Sequence, residues 1–247
     1  MITAVVRIAV CALLIVISGC ASTPRSDRLL VFAAASLKTP FAEIGDRFTA
    51  ANPGTVVELS FAGSTDLLTQ LTQGAEADVY ASADTPTMDR AAAAGLLGGE
   101  PVALATNTLT IAVAPGNPKA IKSFQDLRAV SVVICAPQVP CGAALPRLQR
   151  ETGVDLAPVS EESSVTDVLN RVTSTTADAG LVYVTDTLAA TGDVTAVAFP
   201  EAASAVNTYQ IATLRESRHA ALATEFVKLM TGPVGQEALA SAGFGSP

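Results

Sequence analysis

The sequence predicts an α/β fold built from mostly parallel β-sheets with helices on their faces. Two observations support this prediction. Strand-like apolar runs alternate with helical apolar repeats along almost the whole chain, which is typical of consecutive βα units. The run from Leu29 to Ala35 is apolar without interruption, as in a strand buried on both faces of a parallel sheet. The mature chain of about 225 residues is long enough for one large or two modest domains.

The first twenty residues are predicted to be a targeting segment. An apolar run from Ile8 to Ile17 is too short for a membrane span but has the length of a signal-peptide core. It ends in Ile17-Ser18-Gly19-Cys20, which resembles the lipobox of bacterial lipoproteins. That resemblance implies removal of residues 1–19 as a signal peptide and a lipid on the Cys20 thiol. The alternatives are an ordinary secretory peptide or an N-terminal anchor. Residues 20–28 are then a polar tether.

The first strand leads through Ser36 into a predicted helix, whose apolar residues recur at helical spacing: Leu37, Phe41, Ile44 and Phe48. A second unit repeats this order, with a strand at Val56–Phe61 and then Ser64 or Thr65 as the start of a helix. We predict that these serines are helix N-caps, where free N–H groups and the helix dipole favour an anion. Because ligands bind at the carboxyl edge of a parallel sheet, Ser36 and Ser64 are expected to converge. The simpler interpretation is that each serine only caps its own helix.

The rest of the chain continues the alternation. Strands are predicted at residues 79–82, 104–107, 109–114, 130–134, 179–183, 194–199 and 209–214. Helices are predicted at residues 85–94 and 143–151, after a cap at Ser163 or Ser164, and in two closing segments that end near Ala242. The strand at 108–114 is expected to carry the chain into a second domain. The closing helices then have no partner unless they return to the first domain.

Composition disfavours several classes of protein. A net charge of −8 and 4% aromatic residues argue against a nucleic-acid surface. The single histidine, His219, lies in a polar run, so a His-based metal site or a Ser-His-Asp triad would depend on it. The sequence around Ser64 lacks the Gly-x-Ser-x-Gly spacing of a hydrolase. A secreted serine hydrolase acting through Ser64 or Ser36 is therefore the weaker alternative. Three scattered tyrosines likewise disfavour a ferric-ion receptor.

Two cysteines remain after the targeting segment. Cys135 and Cys141 are six positions apart in a chain predicted to be exported to an oxidising compartment. They lack the CxxC spacing of a redox motif and have no histidine nearby for a metal. The sequence leaves open whether they form a disulfide or remain two thiols.

Five motifs resemble, in order and with similar gaps, those of the periplasmic molybdate-binding proteins, the substrate-binding components of molybdate ABC transporters. They are Val31-Phe32-Ala33-Ala34-Ala35-Ser36-Leu37, Phe61-Ala62-Gly63-Ser64, Gly74-Ala75-Glu76-Ala77-Asp78-Val79-Tyr80-Ala81-Ser82-Ala83, Val139-Pro140-Cys141-Gly142 and Gly180-Leu181-Val182-Tyr183. The resemblance implies a two-lobed periplasmic-binding-protein fold, similar to type II, with the ligand in the cleft between lobes. Residues 29–107 and 207–247 would form lobe 1, and residues 108–206 lobe 2.

The same resemblance implies the ligand set. Hydroxyls, backbone N–H groups and one phenol would bind the oxyanion, from Ser36, Ser64, Cys141, Val165 and Tyr183. Cys141 stands where alanine is common in the family, and a thiol there introduces the option of a bond to Cys135. The implied protein is a monomeric lipoprotein on the outer face of the cell membrane that captures molybdate, with tungstate as a second ligand, for an ABC permease. It would be no enzyme, with no cofactor, no metal beyond the oxyanion and no nucleic-acid partner.

The chemistry of these donors narrows the ligand independently of the resemblance. A fully ionised tetrahedral dianion offers only acceptors, so neutral donors and helix N-termini satisfy it without a counter-charge. A protonated phosphate would also require a buried acceptor, and the predicted set contains no Asp or Glu. Phosphate is therefore disfavoured, whereas sulfate or another small oxyanion remains the alternative. Size must separate sulfate from molybdate, and a sequence does not define the cavity.

Overall fold

The computed structural model describes residues 27–247. The predicted signal peptide, residues 1–19, and the predicted lipidation site, Cys20, lie outside the described residues. The described strands are β1 Asp27–Ala34, β2 Thr55–Ala62, β3 Val79–Ser82, β4 Val102–Asn107, β5 Leu109–Val113, β6 Val132–Cys135, β7 Ser160–Glu162, β8 Ala179–Tyr183, β9 Thr195–Val197 and β10 Asn207–Thr213. The described α-helices are α1 Lys38–Ala51, α2 Ser64–Thr72, α3 Thr85–Ala93, α4 Pro140–Ala143, α5 Leu145–Thr152, α6 Val165–Thr173, α7 Val184–Ala189, α8 Ala220–Thr231 and α9 Pro233–Ser241.

The first sheet has the strand order β2-β1-β3-β10-β4. β1 pairs in parallel with β2 and β3, as the apolar run and its following helix predict. β10 runs antiparallel to both β3 and β4. The sheet is therefore parallel in direction except for β10, the strand on which the chain returns after building the second sheet.

The second sheet repeats this arrangement with the order β7-β6-β8-β5-β9. β6 pairs in parallel with β7 and β8, whereas β5 is antiparallel to β8 and β9. Here the reversed strand is β5, on which the chain enters the sheet. The two mixed sheets, each flanked by helices, form the two lobes of the expected fold; lobe 1 here means the first sheet with its helices, and lobe 2 the second.

The chain passes between the sheets at two places. β4 ends at Asn107 in the first sheet, and β5 begins two residues later in the second. The return occurs before Asn207, the first residue of β10. Residues at or just after the carboxyl ends of β1, β2 and β8 line the space between the two sheets, which is where an α/β sheet binds ligands.

The closing helices pack against lobe 1. Phe226 of α8 contacts the rings of Phe41 and Phe48 of α1 edge to face, with centroids 6.0 and 5.5 Å apart. All three side chains are buried, and such pairs stabilise a core beyond the area that they bury. α9 also contacts α1 and β4. In residues 27–247 no helix combines the length and apolarity that crossing a bilayer requires.

Several element boundaries differ from the predicted ones. β1 begins at Asp27, two residues before the apolar run, because parallel pairing with β2 already starts there. The segment just before the helix predicted at 143–151 contains α4, a single turn that starts at Pro140. β7 and α7 were not predicted, since three polar residues and a six-residue segment carry no measurable periodicity.

Candidate anion-binding site

The five residues predicted to bind the oxyanion line one small cavity between the lobes. The cavity volume is about 20 Å³, on the scale of one or two water molecules, which restricts it to a very small ligand. Two of the five residues come from lobe 1 and three from lobe 2: Ser36 and Ser64, then Cys141, Val165 and Tyr183. The remaining lining is small or apolar and includes Ala34, Ala35, Ala62, Gly63, Ala83, Val139, Pro140, Ser163 and Ser164.

The prediction that Ser36 is a helix N-cap was wrong. Ser36 lies in the middle of a 3₁₀ turn, Ala35–Leu37, and α1 begins after it with no side-chain cap. The turn inserts three residues between strand and helix, and the Ser36 hydroxyl makes no cap hydrogen bond to α1. It lies 2.9 Å from the hydroxyl of Tyr209 instead. The Ser36 side chain therefore does not cap its own helix, as the simpler interpretation had it.

The prediction that Ser64 or Thr65 caps the second helix was also wrong. Gly63 occupies the N-cap position of α2 and Ser64 is the first helical residue. The Ser64 side chain is 1% exposed, and its Oγ accepts the backbone N–H of Ala83 at 3.0 Å. The phenol of Tyr80 donates to the Ser64 carbonyl at 2.8 Å. Long-range bonds on both sides hold this residue at the cavity.

Tyr183 ends β8 and is 1% exposed. Its hydroxyl accepts a hydrogen bond from the side-chain amide of Asn207 at 2.8 Å. Burial raises the pKa of the Tyr183 phenol well above its ordinary value, and the neighbouring Tyr209 adds to this effect. The phenol therefore keeps its proton over the physiological range and acts as a donor.

Two of the three cavity hydroxyls accept a hydrogen bond from a group that can only donate: Ser64 from the Ala83 N–H and Tyr183 from the Asn207 amide. A hydroxyl that accepts such a bond still has its own proton. Ser36 pairs with the phenol of Tyr209, and either oxygen can be the donor in this pair. Burial raises the pKa of Tyr209 as well, so this phenol also keeps its proton. The Ser64 and Tyr183 protons are therefore available to an acceptor.

Two helix starts in lobe 2 contribute backbone N–H groups. Val165 is the first residue of α6, and Ser164 is its N-cap, whose hydroxyl accepts the N–H of Asp167 at 3.2 Å. This confirms the prediction that Ser163 or Ser164 caps a helix here. Cys141 lies in α4, in the first turn that follows Val139. N–H groups of a first turn have no partner within their helix, so these are available to a ligand.

A disulfide joins Cys135 at the end of β6 to Cys141 in α4, with Cα atoms 5.7 Å apart. It closes the loop that carries the Cys141 N–H. The loop is packed so tightly that a Cβ on Gly142 would lie 2.0 Å from the Ala136 carbonyl oxygen. The disulfide and this packing together limit the freedom of the Cys141 donor.

None of the described residues that line the cavity is charged. The carboxyl of Asp186 lies behind the Tyr183 wall of the cavity, where it accepts the backbone N–H of Tyr183 at 2.8 Å. Burial raises the pKa of the Asp186 carboxyl from 3.8 to about 7, and the hydrogen bond from Tyr183 partly offsets this rise. The walls are therefore neutral, and a carboxyl that ionises near neutrality lies just behind them.

We predict that Asp186 makes stability fall as pH rises from about 4 to about 7. The folded protein keeps the Asp186 proton up to about pH 7, whereas the unfolded chain loses it near pH 4, so folding takes up a proton in this window. Once Asp186 is ionised in the folded protein, the free energy of unfolding has fallen by on the order of 4 kcal/mol. Urea unfolding at pH 5 and pH 8 measures it, and Asp186→Asn should flatten the difference.

The exposed Asp193→Asn variant is the control for this prediction. Hydrogen bonds from Ser131 lower the pKa of the Asp178 carboxyl. Asp178 therefore affects the pH dependence of stability only at more acidic pH, where it protonates. An Asp186→Asn variant with the same pH dependence as the unaltered protein would contradict the assignment.

Two residues that hydrogen-bond to side chains of the cavity, Tyr209 and Asn207, were not predicted from the sequence. Tyr209 lies in a strand that was predicted, but its position gave no sign of a polar role. Asn207 bridges the lobes, since its amide also donates to the Pro140 and Ala83 carbonyls. The one sequence signal for such bridges is a polar residue where the chain passes between the lobes. Asn207 lies at one of these crossings, and Asn107, at the other, donates a hydrogen bond to Thr185.

The geometry disfavours catalysis through these serines. His219, the only histidine of the sequence, is the N-cap of α8 and lines a different cavity with Asp78 and Arg218. Neither Ser36 nor Ser64 therefore has an imidazole partner. Within residues 27–247, no cluster of three or more His, Cys, Asp or Glu side chains is placed to hold a metal ion.

Comparisons with known proteins agree with the geometry. Residues 29–245 match the family described as bacterial extracellular solute-binding protein. The molybdate-binding protein ModA of Mycobacterium tuberculosis is 54% identical over 227 residues, which are 91% of this chain and 87% of that protein. The periplasmic molybdate-binding protein of Azotobacter vinelandii has a similar fold, with a TM-score of 0.77, 22% identity and coverage of 89% and 99% of the two chains. The sulfate-binding protein SubI of Mycobacterium tuberculosis superposes with a TM-score of 0.76, 20% identity and coverage of 88% and 86%.

Proposed function

This chain belongs to the bacterial extracellular solute-binding proteins, and from this membership we propose that it captures molybdate and delivers it to an ABC permease. The observation that carries the proposal is the 54% identity to a molybdate-binding protein over nearly the whole chain. The protein acts as a binding protein and needs no cofactor. We further propose that it acts as a monomer, because both halves of the cavity come from one chain.

The cavity chemistry supports a fully ionised oxyanion. Three hydroxyls and two helix-start N–H groups can all donate, and the described lining has no carboxylate to accept a ligand proton. Molybdate and tungstate are dianions at neutral pH and match such a site, whereas monoprotonated phosphate would leave its proton without an acceptor. We therefore propose tungstate as a second ligand and Ser36, Ser64, Cys141, Val165 and Tyr183 as the residues that bind it.

The test is calorimetric titration of the purified mature protein with molybdate, tungstate, sulfate, phosphate and Fe(III), together with thermal unfolding in the presence of each. Molybdate and tungstate should bind tightly and raise the melting temperature, because a ligand of the native state stabilises it. Phosphate and Fe(III) should give no shift. Tighter binding of sulfate than of molybdate would establish the sulfate receptor instead, and no binding of any anion would overturn the proposal.

We propose that the mature protein begins at Cys20 and is anchored by a lipid on the outer face of the cell membrane. The motivation is the Ile17-Ser18-Gly19-Cys20 sequence after a short apolar core. Cys20→Ala should abolish acylation and release or misprocess the protein, as measured by membrane fractionation and mass spectrometry of the N-terminus. Cys11→Ala is the matched control and should be processed normally. Unchanged acylation and membrane retention of Cys20→Ala would contradict the anchor.

A further inference from the structure

The residues on either side of Ser64 both reach across the cleft. Gly63 packs against the backbone of lobe 2: a Cβ built on it would lie 2.2 Å from the Ser163 carbonyl oxygen. Since that oxygen belongs to backbone, no flexible side chain can move aside to admit a larger residue. The backbone of Gly63 is in an ordinary conformation, with φ of −58°. The close approach of the lobes, and not a turn, therefore requires a glycine here.

Thr65 makes a hydrogen bond between the lobes. Its hydroxyl donates to the carbonyl oxygen of Gln138 at 2.8 Å. The guanidinium of Arg90 donates to the same hydroxyl at 3.0 Å. Because the arginine has only donors, the Thr65 proton is left for Gln138. The Thr65 hydroxyl therefore accepts one hydrogen bond and keeps its own proton to donate, as the hydroxyls of Ser64 and Tyr183 do. Unlike them, Thr65 does not line the cavity.

These two contacts hold the segments of lobe 2 that present the ligand donors. Gln138 lies three residues before Cys141, and Ser163 lies two residues before Val165. Gly63, Ser64 and Thr65 therefore touch, respectively, the α6 start, the cavity and the loop before α4. Thus three consecutive residues of lobe 1, with Ser64 in the middle, contact both segments of lobe 2 that carry the Cys141 and Val165 N–H groups.

We propose that Gly63 and Thr65 are a latch, defined as these two residues with their contacts to Ser163 and Gln138, that holds the cleft closed on the anion and sets its rate of release. The latch rests on the proposed function, because it acts on the molybdate complex. Its contacts join residues of different lobes, so they are made only when the lobes approach. The latch therefore slows dissociation and leaves the encounter with the ligand unchanged.

Thr65→Val tests the hydrogen bond with little change in shape. Stopped-flow measurement with molybdate should show dissociation about three- to tenfold faster at an unchanged association rate, as expected for the loss of one hydrogen bond. The melting temperature without ligand should stay the same. Thr72→Val is the matched control, since its exposed hydroxyl donates only within α2, to Thr69, and its dissociation rate should equal that of the unaltered protein.

Gly63→Ala tests the close approach. The added methyl should hold the lobes apart, so that molybdate no longer reduces the radius of gyration measured by small-angle X-ray scattering and the dissociation constant rises at least tenfold. Unaltered protein that binds no oxyanion would overturn the proposed function and the latch together. Molybdate binding with the same dissociation rate in Thr65→Val as in the unaltered protein would overturn the latch alone.

Discussion

Replacing both Ser36 and Ser64 with alanine is expected to weaken molybdate binding by about two to four orders of magnitude. Each hydroxyl donates to a charged acceptor in the proposed complex, and such a bond contributes ~1.5–3 kcal/mol. Each single variant should therefore lose about one to two orders of magnitude, since 1.4 kcal/mol is a factor of ten. Calorimetric titration of the two single variants and the double variant measures the loss.

Ser204→Ala is the control, because its exposed hydroxyl contacts only the nearby Glu201 carbonyl. Ser64→Ala also removes the acceptor of the Ala83 N–H, so circular dichroism and thermal unfolding must show that the variant is folded. A folded double variant with unaltered affinity would place the anion elsewhere and refute the site. This outcome would leave family membership untouched.

Gly142→Ala is expected to lower both stability and affinity. An added Cβ would lie 2.0 Å from the Ala136 carbonyl oxygen and 2.5 Å from that of Cys135. Both atoms are backbone, and the disulfide between Cys135 and Cys141 prevents the loop from opening. Overpacking of this kind costs ~1–3 kcal/mol, which corresponds to a fall in melting temperature of roughly 2–12 °C for a chain of this size.

The same substitution displaces the Cys141 N–H, so molybdate affinity should fall about tenfold or more, as for the loss of one hydrogen bond to a charged acceptor. Gly99→Ala is the matched control, because nothing lies within 4 Å of a Cβ at that position. Differential scanning calorimetry and titration of both variants provide the measurement. Equal melting temperatures and affinities for Gly142→Ala and Gly99→Ala would show that the loop tolerates the methyl and does not position the donor.

Much of the first sheet was predictable because its pattern is local. The apolar run of β1 and the helical repeat of α1 are read within a window of about 20 residues, and the structure has both elements. The caps were mispredicted because a serine between a strand and a helix resembles an N-cap in sequence. At Ser36 a 3₁₀ turn, Ala35–Leu37, lies between strand and helix, and at Ser64 the preceding Gly63 takes the cap position.

The sequence by itself determined the α/β class and the two βα units in which a serine follows the strand, and its resemblance to the molybdate-binding proteins indicated five residues that the structure places around one cavity. Only the tertiary structure decided how those residues are oriented. The partner of Ser36 lies 173 positions away and that of Tyr183 lies 24 positions away, while the Thr65 hydroxyl contacts lobe 2 across 73 positions. A periodicity reports which face of an element is buried, but not which distant side chain it meets. The directions of the Ser64 and Tyr183 hydroxyl protons follow from such distant partners, and these protons support the proposed ligand, which only accepts hydrogen bonds.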